Sequence, residues 1–77
     1  MRLEHDRQAD AIYVYLNDKP YARGKDLDNE RRIDYAPDGT PMGIEFLCVS
    51  DGVNLTDIPC RAEIERLLED KHIKVFA

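Results

Sequence analysis

The sequence predicts an α+β domain: a small antiparallel sheet, elements in the order β-β-β-β-α-β, with one C-terminal helix packed on one face. Three observations carry this prediction. Ala11-Ile12-Tyr13-Val14-Tyr15-Leu16 alternates with period two and is rich in β-branched and aromatic residues. Ala36-Pro37-Asp38-Gly39-Thr40 is turn chemistry set between two alternating runs. Cys60, Ile64, Leu67, Leu68 and Lys71 recur at i, i+4, i+7, i+8 and i+11, a single helical stripe. At 77 residues the chain is read as one domain, residues 1–77.

The elements follow in order. Arg2 to His5 is a short, weakly patterned first strand, and Asp6 to Asp10 is a polar connection whose aspartates suit backbone bonding. In the second strand Ile12, Val14 and Leu16 point to one face and Tyr13 and Tyr15 to the other. Asn17-Asp18-Lys19-Pro20 ends it. Tyr21 to Asn29 is polar and irregular and reads as a mobile loop. Arg31 to Ala36 is a strand with Ile33 and Tyr35 on one face and Arg32 and Asp34 on the other.

Pro37 presets φ, Asp38 tolerates the next position and Gly39 accepts positive φ, so this turn closes a β-hairpin with a bulge at Gly39. The outgoing strand, Met42 to Val49, places Met42, Ile44, Phe46 and Cys48 together, opposite Gly43, Glu45 and Leu47. Ser50-Asp51-Gly52 breaks it. Pro59 belongs in the first turn of a helix running to Lys71. His72 to Phe76 alternates as a closing strand. Connections this short favour antiparallel pairing, and the helix is expected to cover the face bearing Ile12, Val14, Leu16, Ile44 and Phe46.

Three stretches can then be set side by side: Asp6-x-x-Ala9-Asp10-Ala11-Ile12-Tyr13, Ile33-Asp34-Tyr35-x-x-Asp38-Gly39 and Pro41-x-Gly43-Ile44-Glu45-Phe46-Leu47. In this order they resemble the small bacterial and phage proteins of domain-of-unknown-function family 2283, over roughly residues 3 to 50. His5 stands where that family usually has Tyr. The resemblance implies a β-rich fold and brings no established activity. Members found beside small toxin-like proteins suggest an antitoxin or inhibitor role.

Charge excludes several classes of function. The formal net charge is −5, and Lys and Arg form no stripe: acids flank Arg31-Arg32 and the Lys19/Arg23/Lys25 group. Nucleic-acid binding draws its affinity from phosphate neutralisation and membrane-surface binding from polybasic patches, so neither is expected. No run approaches a membrane span and Met1-Arg2-Leu3-Glu4-His5-Asp6 has no apolar signal segment, which reads as a cytoplasmic, reduced chain. Cys48 and Cys60, in apolar neighbourhoods, are read as core side chains rather than as a disulfide, a redox pair or zinc ligands. No cofactor is expected.

The residues that carry chemistry offer no catalytic arrangement. His5 and His72 stand alone, without a positioned nucleophile or second group. Asp6, Asp10, Asp34 and Glu45 lie in the family-like motifs, and a convergent set of such carboxylates would suit a divalent cation or hydrolytic chemistry. Against that, Asp6 and Asp10 bracket a turn, and Asp34 and Glu45 can pair across strands with Arg31, Arg32 or Arg7. Tyr13 and Tyr15, with Leu47, occupy the face away from the helix, and Val75 sits in the last strand, an edge open to another chain. These four residues are the candidates for contact with another protein or with a second copy of the chain.

Overall fold

Hydrophobic alternation decides the centre of the fold. In the computed structural model, which describes residues 1–76, five strands form one antiparallel sheet: β1 (Arg2–Asp6), β2 (Ala11–Tyr15), β3 (Arg23–Asp26), β4 (Arg31–Tyr35) and β5 (Pro41–Leu47). Their spatial order is β1-β2-β5-β4-β3. The two most apolar strands, β2 and β5, therefore lie side by side, with Ile12 opposite Phe46 and Val14 opposite Ile44. The polar strands β1 and β3 take the edges.

The hairpin at Pro37-Asp38-Gly39 forms as expected. The Gly39 N–H donates to the Ala36 carbonyl at 2.9 Å, the Ala36 N–H donates to the Thr40 carbonyl at 2.8 Å, and Gly39 has φ +86°. A type I turn followed by one left-handed residue is the geometry that matches the twist of the flanking strands. A second irregularity was not expected. Asp34 pairs with Gly43 while Tyr35 pairs with Pro41, so Met42 is an extra residue in β5. The bulge turns Met42 away from Ile44 and Phe46, and its sulfur lies 3.7 Å from the Tyr13 hydroxyl on the opposite face.

Segment 21–29, expected as a loop, contains β3. Arg23 to Asp26 pairs along β4 in full register, Arg23 with Tyr35 through Asp26 with Arg32. The strand carries no apolar alternation because it is an edge whose side chains are mostly exposed.

Past β5, Cys48 takes a left-handed conformation (φ 55°) and a 3-10 turn follows at Val49–Asp51. Strand β6 (Val53–Asn54) then pairs with β7 (Val75–Phe76) in a separate two-stranded sheet, and the pairing is parallel. This corrects the expected antiparallel closing strand. Between β6 and β7 the chain runs through α1 (Arg61–Asp70), the crossover that parallel strands require. The helix starts at Arg61 rather than Pro59, because Cys60 is left-handed (φ 57°) and caps it.

One hydrophobic cluster joins these parts. Ile12, Val14, Ile33, Ile44 and Phe46 from the sheet meet Ile64 and Leu68 of α1 and the connecting residues Val49, Val53, Leu55 and Ile58. The helix thus covers the expected face of the sheet. Arg31 fastens the connection from below, its guanidinium donating to the carbonyls of Asn54 and Thr56 while pairing with Asp28. Cys48 and Cys60 are exposed free thiols rather than core residues. Val49 and Ile58 close by are buried, but the left-handed backbone at both positions turns each thiol outward.

Candidate functional site

Strand parity places Tyr13, Tyr15, Arg32, Asp34, Gly43 and Glu45 on the outer face of the large sheet, away from α1. The Tyr13 and Tyr15 rings meet edge to face, with centroids 4.7 Å apart. The Tyr13 hydroxyl donates to Asp34 Oδ2 at 2.6 Å, and Arg32 Nε donates to Asp34 Oδ1 at 3.2 Å. Arg32 also donates to Asp26 Oδ1 at 3.3 Å and to the Tyr21 hydroxyl at 3.4 Å. Side chains from β2, β4 and β3 are so joined across the strands, with the loop residue Tyr21 at one end.

Two glycines make room for this. Gly24 and Gly43 are the residues paired with Asp34 on either side. A Cβ on Gly43 would collide with the Tyr13 phenol, and one on Gly24 with the Arg32 guanidinium and the Asp34 carboxylate. With neither Cβ present, Tyr13 and Arg32 lie flat over the sheet and reach the carboxylate from opposite sides. Asp34 is itself buried, 9% exposed, so two charge-assisted donors stabilise a group that would otherwise be costly to bury.

The electrostatics follow from this arrangement. Burial, and then the Asp34 carboxylate that it donates to, raise the Tyr13 phenol well above its ordinary range. Tyr15 is raised by Glu4 beside its hydroxyl, and the Arg2 guanidinium stacks 3.9 Å above its ring. Arg32 is held more firmly protonated, first by the Tyr21 hydroxyl and then by Asp34. Leu47, 38% exposed, extends the same face opposite Ala11. Val75 lies apart from it, in the small sheet, packed against the core.

The four carboxylates have separate settings. Asp6 accepts from the Gln8 and Ala9 N–H groups, both at 3.0 Å. Asp10, left-handed at φ 53°, accepts from the Ser50 N–H at 2.9 Å and the Ser50 hydroxyl at 2.7 Å. Asp34 is occupied as described, and Glu45 sits across from Tyr13 and Arg32. Among the described residues no three His, Cys, Asp or Glu side chains are grouped to hold a metal ion. Glu30 beside Cys48 raises its thiol, the reverse of an activated nucleophile.

The sequence placed Arg32 and Asp34 on one face but did not join them to Tyr13, because the link depends on glycines contributed by two other strands. His5 and His72, each read as isolated, line one groove together with Arg7, Lys71 and Lys74. Only the folded chain brings those positions together. No helix of the described residues is long and apolar enough to cross a membrane.

Comparison with known proteins adds one match. Neither the curated proteins nor the solved structures contain one that the chain matches. Residues 2–50, covering the whole five-stranded sheet and the start of the turn after it, match the sequence model of the family described as protein of unknown function, DUF2283, and the chain belongs to that family.

Proposed function

We propose that this chain is a non-enzymatic protein-binding module that self-associates through the outer face of its sheet. The observation that carries the reading is the Tyr13–Tyr15 ring pair on a sheet face that α1 leaves uncovered. Tyrosines supply contact area at small entropic cost and are enriched at interface cores. Several of the surrounding charges already have partners: Arg32 with Asp26 and Asp34, and Arg2 with Glu4. A face whose charges are matched internally loses less on desolvation than one with free charges. Within this reading the small size and net charge of −5 fit an antitoxin-like or phage-borne inhibitor, whose acidic surface would complement a basic target.

Sedimentation equilibrium of the wild type beside Tyr15→Ala and Leu47→Asp variants tests the proposal. Both side chains are outside the core, so the variants are expected to keep the wild-type circular dichroism and melting curve. A dimeric wild type with monomeric variants is the expected result. A wild type that stays monomeric at about 100 μM, where even weak association registers, would refute self-association.

A further inference from the structure

We propose that the groove lined by His5, Arg7, Lys71, His72 and Lys74 binds a small phosphorylated anion. The groove is open, encloses about 420 Å³ and is bordered by Asp10 and Ser50. Its cations come from distant parts of the chain. His5 and Arg7 lie at the end of β1 and the turn after it, while Lys71, His72 and Lys74 lie between α1 and β7. They are brought together by two contacts described above: Asp10 holds the β1–β2 turn to Ser50 of the 3-10 turn Val49–Asp51, and β7 pairs with β6 just beyond that 3-10 turn.

What sets this cluster apart is convergence: three cations without carboxylate partners share one groove. Of the eight other Lys and Arg residues, Arg2, Lys19, Arg31 and Arg32 pair with a carboxylate among the described residues. Among the described residues Arg7, Lys71 and Lys74 make no ion pair. In a chain of net charge −5 these unpaired cations form a local inversion of sign, and their mutual repulsion is relieved by an anion. Placement at a helix C-terminus, where positive charge suits the helix dipole, accounts for Lys71 and His72. It does not account for His5, Arg7 or Lys74. The acid in the groove is Asp10, and Ser50 holds both of its oxygens.

The chemistry selects phosphate. A guanidinium fork meets two phosphate oxygens at once, and ammonium groups add point charge around them. Three full cations match a dianion better than a single carboxylate. The volume lies within the range of small-molecule sites, roughly 300–1,000 Å³, and leaves space beside a phosphate for an organic group. A long nucleic-acid backbone would run out of the groove onto the acidic remainder of the surface.

The test is a titration of isotope-labelled protein with inorganic phosphate, pyrophosphate and AMP at constant ionic strength, followed by amide chemical shifts. Saturable shifts confined to Arg7, Ser50 and residues 71–74 are expected. In an Arg7→Gln/Lys74→Gln variant binding should weaken by about tenfold or more, with an unchanged melting temperature in the absence of ligand. Tighter binding of AMP than of phosphate would identify the organic group as part of the ligand; equal binding would assign recognition to the phosphate alone. The proposal fails if shifts spread over lysines elsewhere, if the double variant binds as well as the wild type, or if nothing saturates by about 10 mM, the weak end of specific recognition.

Discussion

Asp34 lies between a phenol and a guanidinium, and the phenol gives that contact a pH signature. The folded state favours the protonated Tyr13, whereas the unfolded chain ionises it near the ordinary value of 10.0. Below that value the hydrogen bond to Asp34 contributes in full. Above it the unfolded chain loses its proton first, so the contribution declines as pH rises. Unfolding free energies of wild type and Tyr13→Phe, from urea denaturation, should therefore differ most at neutral pH, by about 1–3 kcal/mol for a bond to a charged acceptor, and converge above about pH 10. Parallel pH profiles for the two proteins would rule this coupling out. Cys48 and Cys60 show why residue identity alone misleads. Flanked by Leu47 and Val49, and by Pro59 and Arg61, neither thiol carries any local sign of the positive φ that turns it to solvent.

At the scale of elements, what the sequence revealed depended on hydrophobic alternation. Strands β2, β4 and β5 were legible because each carries an apolar face, and α1 because Ile64, Leu67 and Leu68 recur at helical spacing. Strand β3 was not. Arg23-Gly24-Lys25-Asp26 has no apolar residue, and only the partner strand makes it a strand. The parallel β6–β7 pairing was hidden too: the alternation of residues 72–76 marks a closing strand, but Val53-Asn54 is too short to show periodicity as its partner. The β1–β2 turn depends on one residue. Asp10 accepts two hydrogen bonds from Ser50, and its own carbonyl accepts one from the Val49 N–H at 3.1 Å. Asp10→Ala removes the carboxylate and leaves a β-carbon at a left-handed position that Asp tolerates better. A loss of about 1–3 kcal/mol in chemical denaturation is expected, with faster amide exchange at Ser50. An unchanged Ser50 exchange rate would show that the turn is held by something else.

For the molecule as a whole, one cluster links the sheet, the helix and the small parallel pair. A chain of 77 residues has roughly 4–12 kcal/mol of stability available at the usual values per residue. Leu68 is completely buried, and truncating such a side chain to Ala costs about 2–5 kcal/mol. Leu68→Ala should lower the melting temperature by roughly 10–30 °C, with helix and sheet signals lost together. A sheet signal that survives after α1 has melted would show that the two unfold separately. The row Gly24–Asp34–Gly43 carries one further consequence. A strand that slips by one residue turns its apolar side chains outward, so burial alone forbids that error. A slip of two residues restores the alternation, and burial alone cannot detect it. In this sheet such a slip of β5 against β2 would move Gly43 from beneath the Tyr13 phenol and put a side chain there. The missing β-carbons act as a key that admits one alignment of the central strands and rejects the neighbour with the same hydrophobic pattern.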